Sequence, residues 1–266
     1  MAIITLMTDF GIKDGNVGVM KGVIWGVCPQ AQISDLSHMI GAQNVREASL
    51  ILARSAPYFP KGTIHVVVVD PGVGTARRPM AVKIGDWFYV GPDNGTITLL
   101  LERAEKEGWP CAYVQLDRME YWLPNVSYVF HGRDIFSPVA AHLANLVPLL
   151  NLGTPFNDPV RLQLPQPLWM NNGWLGEVIH IDHFGNIASN IRVENLGDAL
   201  QNKDSIMIRL NGIEIKGMVN TFGERAAGSV VALLGSTGNL IVSVVNGNAA
   251  DKLNVKIGDR VEAFVA

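Results

Sequence analysis

The chain has 266 residues, a formal net charge of −3 and a pI near 6.1, which disfavours a general nucleic-acid binder because such proteins carry a basic surface. No apolar run approaches the roughly 20 residues that cross a membrane. The two cysteines are too few for a disulfide framework, and the first residues form a strand pattern instead of a secretory signal. These properties predict a cytoplasmic protein that has neither nucleic acid nor a membrane as a partner.

The first part of the chain alternates strand and helix patterns. Gly85 and Asp86 predict a hairpin turn between two of the strands. Strands are predicted over residues 3–7, 32–36, 64–69, 80–84, 87–90 and 111–115, and helices over 18–27, 44–56, 96–104 and 134–145. This alternation predicts an α/β domain with a mostly parallel sheet.

The pattern changes in a proline-rich stretch between residues 148 and 167. Asn211 and Gly212 predict a further hairpin in the part that follows. Strands separated by turns are predicted there over residues 173–181, 187–191, 206–210, 213–215, 230–234, 240–245 and 260–264. We therefore expect an α/β domain over residues 1–167 and a smaller all-β domain, a barrel or a sandwich, over residues 168–266.

Two carboxylates each follow a predicted strand. Asp70 comes directly after the four valines of residues 66–69, which predict a strand buried on both faces, and Pro71 and Gly72 then turn the chain. Asp9 follows the first strand in the same way. Because ligands bind at the carboxyl ends of strands in open α/β sheets, we expect both carboxylates at one ligand-binding edge if the two strands are parallel neighbours. The alternative role of Asp9 is that of a turn residue or a helix cap.

A histidine beside a glycine gives a second candidate site. His131 can act as an acid, a base or an oriented donor, and Gly132 permits a ligand to approach the backbone closely. The alternative is a purely structural histidine. Asp134, which begins the last predicted helix of the first domain, is a plausible N-cap.

Two motifs resemble known binding sites only in composition. The loop that begins with Gly72 lacks the third glycine of a dinucleotide-binding motif, because Arg77 occupies that position and Pro79 follows it. His180 and His183 point to opposite faces of a strand and therefore do not chelate one ion. We expect no metal and no cofactor.

The segment from Asp182 to Asn186 predicts a loop that carries an aromatic ring, Phe184, and an amide. The Asn186 amide offers the donor and the acceptor that a purine edge requires. An ordinary hairpin turn is the alternative interpretation.

Six short motifs occur together in one order along the chain. They are Thr8-Asp9-Phe10-Gly11, residues 69–75 with Arg77-Arg78, residues 91–95, residues 130–134, residues 182–186 and Asn248-Ala249-Ala250. Over nearly its whole length the chain resembles the S-adenosylmethionine hydrolases that form adenosine, also called hydroxide adenosyltransferases, which are relatives of fluorinase and chlorinase. The resemblance implies an α/β domain followed by a β-barrel domain, a small-molecule substrate, and a homotrimer. In that trimer each active site would lie between the first domain of one subunit and the second domain of the next.

The resemblance also implies roles for individual residues. Asp70, Arg77 and His131 match the catalytic set of the family. The matches to substrate contacts are Asp9 for the ribose hydroxyls, Asp14 for the methionine ammonium, Phe184, Asn186, Phe222 and the backbone near Ala249 and Ala250 for adenine, and Ser236 for the methionine carboxylate.

The sequence departs from the halogenating relatives at the position of Asp70, where those enzymes carry an aromatic residue. A carboxylate there would repel a halide. Those relatives also commonly carry an insertion near residues 84–88, and tend to carry arginine at the position of Thr237. The expected activity is hydrolysis of S-adenosylmethionine to adenosine and methionine. The alternatives are a halogenase, another nucleotide hydrolase, or a non-catalytic sensor of S-adenosylmethionine or a nucleoside, which would need the pocket contacts but not the catalytic set.

Overall fold

The computed structural model describes residues 2–265, and the chain divides after Leu162 into two compact units. Unit 1 is an α/β structure and unit 2 is built on an antiparallel, barrel-like sheet. The predicted two-part organisation is confirmed at this level, while the boundary between residues 167 and 168 stays a prediction. No helix among the described residues is both long enough and apolar enough to cross a membrane.

The strands of unit 1 form one mixed sheet in the order β2-β1-β3-β5-β4-β6-β7. In chain order they are β1 (Ile3–Thr8), β2 (Gln32–Ser37), β3 (Ile64–Val68), β4 (Pro79–Ile84), β5 (Trp87–Pro92), β6 (Cys111–Leu116) and β7 (Gly153–Phe156). The pairs β1/β2, β1/β3 and β3/β5 are parallel, whereas β4/β5, β4/β6 and β6/β7 are antiparallel. The expected mostly parallel sheet is therefore wrong. The predicted hairpin at Gly85 and Asp86 is present, and its reversal of the chain makes β4 antiparallel to its neighbours.

Four α-helices accompany the sheet in the described part of unit 1. They are α1 (Asn16–Val27), α2 (Val45–Ser55), α3 (Thr98–Glu107) and α4 (Ser137–Ala144), with a π-helical turn at Gly132–Phe136 and 3₁₀ turns at Ala56–Tyr58, Met119–Tyr121 and Leu149–Asn151. Asn44 caps α2 as predicted, because its Oδ1 accepts a hydrogen bond from the Glu47 backbone N–H at 3.0 Å.

The valine run of β3 explains how this sheet is held. Val66 and Val68 pack into a core with α1 and α4, while Val67 and Val69 pack into a second core with α2 and α3. All four side chains are buried, which stabilises the fold by roughly 1.5–3 kcal/mol for each. Because alternate residues of a strand face opposite sides, a continuous apolar run is required where helices cover both faces. The carboxyl end of β3 is thereby fixed in position.

Unit 2 carries a sheet in the order β12-β11-β15-β9-β10-β14-β13, with β8 paired to β9. Its strands are β8 (Leu168–Met170), β9 (Gly173–Ile181), β10 (Ile187–Arg192), β11 (Ile206–Leu210), β12 (Ile213–Lys216), β13 (Val230–Leu234), β14 (Asn239–Val244) and β15 (Arg260–Val265). All of these pairings are antiparallel. Just after β12, the Val219 N–H donates to the Ala232 carbonyl of β13 at 2.9 Å, so the two ends of the sheet nearly close on each other.

Short helices interrupt the strands of unit 2, where the sequence patterns predicted none. They are α5 (Val193–Leu196), α6 (Ala249–Leu253) and 3₁₀ turns at Gly197–Ser205 and Phe222–Glu224. Asn248 caps α6 by accepting a hydrogen bond from the Asp251 N–H at 2.9 Å. Helices of this length lack the periodic apolar stripe by which longer helices are predicted.

Candidate active site

The ends of β1 and β3 bring the two predicted carboxylates to the same edge of the unit 1 sheet. The strands are parallel neighbours, with Thr8 opposite Val68. Asp9 therefore leaves the sheet beside the segment that carries Asp70. The prediction of one shared edge depended on β1 and β3 being parallel neighbours, and the structure shows that they are.

Arg77 contacts both Asp70 and His131. The Arg77 guanidinium binds the Asp70 carboxylate through two atoms: Nε donates to Oδ1 at 3.1 Å, and Nη2 donates to Oδ2. The same Nη2 lies 3.1 Å from Nδ1 of His131. The side chains of Asp70 and Arg77 are almost fully buried, with 5% and 7% of their surface exposed. A bidentate pair fixes both the position and the plane of the carboxylate.

Glycine allows the two loops that carry these residues to touch. Gly74 has a φ of +76°, and a Cβ on it would lie 2.3 Å from the Tyr128 carbonyl oxygen. Only a residue without a side chain fits both the backbone conformation and the contact. The loop after β3 can therefore press against the loop that precedes His131.

The π-helical turn positions His131 and changes the role expected for Asp134. Asp134 is fully buried inside this turn and does not cap a helix, so the predicted N-cap role is wrong. Its carboxylate accepts hydrogen bonds from the backbone N–H of Ser127 at 2.8 Å and from the Ser127 hydroxyl at 2.9 Å, and it pairs with Arg133. A buried carboxylate with these partners has its pKa held down, because the hydrogen bonds and the arginine outweigh the effect of burial, which is the largest single cause and acts upward.

Burial is also the main reason why the pKa of His131 lies below the ordinary value of 6.5. Arg77 lowers this pKa further, while the charges of Asp70 and Asp134 and a hydrogen bond to the Ser127 backbone oppose the shift. These surroundings therefore favour the neutral form of the His131 ring.

A cleft of about 260 Å³ opens beside these groups in unit 1. Its lining residues are Asp9, Phe10, Gln43, Val68, Asp70, Pro71, Val73, Val129, Phe130, His131 and Gly132. Oδ2 of Asp9 accepts a hydrogen bond from the Gln43 backbone N–H at 2.7 Å. Gln43, at a φ of +61°, was not among the predicted site residues, because nothing in its sequence neighbourhood marks a left-handed glutamine. The cleft is thus lined by two carboxylates, a histidine and two phenylalanine rings of unit 1.

Asp14, a predicted substrate contact, and Arg78, a motif residue without a predicted role, are not among the residues that line the cleft. Asp14 is exposed just before α1 and does not line the cleft. Arg78 turns away from its neighbour Arg77: it binds Asp93 at 2.9 Å and Asp158 at 2.7 Å. The adjacent arginines therefore contact different parts of unit 1. Arg77 binds groups beside the cleft, and Arg78 binds the segment that follows β7.

In unit 2 the predicted adenine-binding loop is held by its own residues. Asp182 accepts hydrogen bonds from the Phe184 N–H and from both the backbone and the side-chain N–H groups of Asn186, at 2.8–2.9 Å. The Ala250 N–H donates to the Gly185 carbonyl at 3.0 Å, so the loop lies against the start of α6. Ala249 is buried beneath this contact, whereas 73% of the Phe184 side chain is exposed.

Phe222 and Ser236 lie on two other loops of unit 2. Phe222 begins a 3₁₀ turn and is 42% exposed, and Ser236 is exposed in the turn between β13 and β14. The structure thus brings together Phe184, Asn186, Ala249 and Ala250, which lie on one loop and one helix start. Asp182, the residue that fixes this loop, was recognised by sequence only as part of the motif.

Among residues 2–265 no group of three or more His, Cys, Asp or Glu side chains is arranged to hold a metal ion.

Comparison with known proteins decides the family. Residues 4–153 match the SAM hydroxide adenosyltransferase N-terminal domain, and residues 176–262 match the C-terminal domain of the same family. The chain belongs to the SAM hydroxide adenosyltransferase family. The two matches fall within unit 1 and unit 2 respectively, and the suspected resemblance is confirmed.

Several named relatives are similar over almost the whole chain. The chain is 40% identical to the (R)-S-adenosyl-L-methionine hydrolase of Salinispora tropica, over 97% of this chain and 95% of the relative. It is 37% identical to the enzyme of the same name from Thermus thermophilus, over 97% and 98%. A fluorinase from an Actinoplanes species is 28% identical, over 96% and 95%. A solved structure of an uncharacterized conserved protein from Thermotoga maritima is similar at a TM-score of 0.90 and 36% identity, covering 99% of this chain and all of the other.

Proposed function

We propose that this protein hydrolyses S-adenosyl-L-methionine to adenosine and L-methionine. The observation that carries the proposal is the buried Asp70–Arg77 pair beside His131, at the wall of a cleft, in a chain whose relatives at 34–40% identity are named as hydrolases of this compound. The fluorinases are more distant, at 28–29% identity.

The chemistry of the substrate explains why these groups suffice. The sulfonium is a cation, and its C5′–S bond breaks with the electron pair going to sulfur, so methionine leaves as a neutral thioether. The leaving side therefore requires no acid. The oxygen of water forms the new bond to C5′, and its proton must go to the protein. In the proposed mechanism Asp70 takes this proton, while Arg77 holds the carboxylate in place.

The halide alternative is disfavoured by the same carboxylate. A halide placed beside Asp70 would meet a negative charge at close range, which costs free energy, whereas water gains a hydrogen-bond acceptor. Arg77 offers no free positive charge for a halide, because its guanidinium already pairs with Asp70.

We propose the (R) epimer at sulfur as the substrate, because the relatives carry this configuration in their names. A sulfonium with three different substituents is a stereocentre, so a cleft that holds adenosine and the methionine chain separately can distinguish the two epimers. Nothing in the amino-acid sequence alone indicates this choice.

Several contacts remain proposals drawn from the family resemblance. Asp9 would bind the ribose hydroxyls with the carboxylate oxygen that Gln43 leaves free, and Asp14 would bind the methionine ammonium. The adenine would contact Phe184, Asn186, Phe222, Ala249 and Ala250, and Ser236 would bind the methionine carboxylate. A cytoplasmic location and the absence of a cofactor likewise stay predictions.

One incubation tests the activity. The purified protein is given each epimer of S-adenosylmethionine in water labelled with heavy oxygen, with and without high chloride, and products are separated by chromatography and weighed by mass spectrometry. We expect adenosine carrying the heavy oxygen at C5′, and methionine without it, from the (R) epimer. Halogenated nucleoside as the main product would show that the protein is a halogenase and not a hydrolase. Tight binding of either epimer without turnover would favour the alternative of a non-catalytic sensor.

We also propose a homotrimer in which each active site combines unit 1 of one subunit with unit 2 of its neighbour. Sedimentation gives the oligomeric state. Mixing an inactive Asp70→Asn chain with an inactive Asn186→Ala chain should restore part of the activity, since some sites then receive two intact halves. A mixture that stays inactive after verified subunit exchange, or a fully active monomer, would contradict the shared site.

A further inference from the structure

Asp134 is a buried carboxylate for which neither the proposed reaction nor helix capping gives a use. It lies three residues after His131 and accepts hydrogen bonds from the backbone N–H and the hydroxyl of Ser127. The Ser127 hydroxyl in turn accepts a hydrogen bond from the Phe130 N–H at 3.1 Å. One carboxylate therefore fixes both ends of the loop over residues 127–131, including the orientation of the Ser127 peptide groups.

The contacts of His131 determine which ring nitrogen carries the proton. Nδ1 lies 3.1 Å from Nη2 of Arg77. A guanidinium can only donate, so Nδ1 must be the accepting, unprotonated nitrogen. The hydrogen bond with the Ser127 backbone raises the pKa of His131, which is the effect of a carbonyl oxygen that accepts from the ring. Because Nδ1 accepts from Arg77, the proton of the neutral ring is on Nε2.

We propose that Asp134 is a positioning residue: through Ser127 it holds the loop of residues 127–131, and this loop directs the Nδ1 lone pair of His131 at Arg77. This inference rests on the proposed hydrolase function and deepens it. The tautomer of a histidine is set by the hydrogen bond that its other nitrogen makes. Because Arg77 engages the Nδ1 lone pair and Nε2 already carries a proton, His131 has no free position for a proton from water. Asp70 is then the proton acceptor, and His131 fixes the arginine that orients it.

Loss of the Asp134 charge should change His131 in a known direction. The charged groups that face the ring are Arg77, Asp70 and Asp134. Asp134 and the Ser127 backbone both raise the pKa of His131. In Asp134→Ala both the charge and the oxygen that accepts the two Ser127 hydrogen bonds are lost, so both effects weaken and the pKa of His131 should fall further below 6.5.

Long-range proton–nitrogen correlation spectra of protein labelled with ¹⁵N at histidine read the tautomer directly, and His131→Asn identifies the signal. We expect the wild-type ring at pH 7.5 to carry its proton on Nε2. In Asp134→Ala we expect a mixture of tautomers, a lower pKa for this ring, and a kcat reduced about 10- to 100-fold with little change in KM.

Matched variants separate positioning from general destabilisation. Ser127→Ala removes the hydroxyl link and should show a smaller change of the same kind, whereas Ser127→Thr keeps the link and should resemble the wild type. Asp93→Asn removes another buried carboxylate that is paired with an arginine, and should lower stability without changing the His131 spectrum.

The proposal is overturned if wild-type His131 carries its proton on Nδ1. It is equally overturned if folded Asp134→Ala keeps the wild-type tautomer, or if the tautomer changes while kcat does not. Should Asp134→Ala fail to fold, the contrast between Ser127→Ala and Ser127→Thr decides. A wild-type protein that forms no adenosine would contradict the proposed function, while the spectra would still report the tautomer.

Discussion

Units 1 and 2 use the polar side chains of their candidate sites in opposite ways. In unit 1 the hydrogen bonds join distant parts of the chain: Arg77 lies 54 residues before His131. In unit 2 they stay within one loop: Asp182 and Asn186 are four residues apart. A buried long-range polar contact requires complete pairing to offset its desolvation, whereas a local one mainly shapes its own loop. The difference agrees with the proposed division, in which unit 1 would carry bond-breaking and unit 2 would recognise the base.

The most severe test of this division is Asp70→Asn. The variant keeps the shape of the side chain but removes the proton acceptor, so kcat should fall at least about 100-fold while KM changes little. Stopped or quenched assays of adenosine formation measure both constants. Asp93→Asn, which alters the neighbouring carboxylate paired with Arg78, is the control and should retain kcat. Equal turnover by Asp70→Asn and the wild type would remove Asp70 from the mechanism.

The adjacent arginines offer a matched pair with a smaller expected effect. Arg77→Lys cannot bind Asp70 through two atoms and reach His131 as well. We expect kcat to fall roughly 10- to 100-fold, because a hydrogen bond to a charged group contributes about 1.5–3 kcal/mol. Arg78→Lys should instead lower the melting temperature, since Arg78 binds Asp93 and Asp158 and lies over the Phe156 ring at 4.3 Å. If both variants behave alike, the two arginines do not have separate roles.

The same contrast shows what the sequence could predict. The valine run that precedes Asp70 and the turn that follows it are local signals, so the sheet edge and its carboxylates could be predicted from the amino-acid sequence alone. Only the family resemblance separated Arg77 from Arg78, because their opposite directions depend on partners 54 and 80 residues away. Gln43 and Asp134 were missed or misassigned for the same reason: their roles come from a left-handed backbone and from a π-helical turn that neither composition nor spacing indicates.

The sheet order shows a second limit. Strand patterns located β1 to β6, but a periodic apolar pattern does not state the direction of the neighbouring strand. The parallel strands β2, β1, β3 and β5 follow the predicted alternation of strands with helices. The antiparallel part begins at β4, because a hairpin and not a helix connects β4 to β5.

Phe184 tests the recognition side of the comparison. Stacking of a base on an aromatic ring contributes about 1–3 kcal/mol, so Phe184→Ala should raise KM roughly 5- to 150-fold and leave kcat nearly unchanged. Trp169→Ala is the control, because Trp169 is another exposed ring of unit 2 that lies outside the loop of residues 182–186. A loss in kcat alone would place Phe184 with the catalytic groups instead.

The smallest effect on activity is expected for a substitution at His65. This buried residue of unit 1 makes a long-range polar contact but does not line the cleft. Its Nδ1 lies 2.7 Å from the Thr5 hydroxyl, 60 residues away, and burial lowers its pKa to about 4. The unfolded chain, with a histidine pKa near 6.5, binds the proton more readily. The associated stability is therefore fully present above about pH 6.5 and is lost as the pH falls towards 4, by roughly 3 kcal/mol.

Urea unfolding at pH 7 and pH 4.5 should show a larger loss of stability for the wild type than for His65→Gln, whose amide can still form a hydrogen bond with Thr5. Both proteins should have the same kcat at pH 7.5. Parallel losses of stability would show that His65 is protonated in the folded state, and a lower kcat would show that long-range polar contacts of unit 1 support catalysis even outside the cleft.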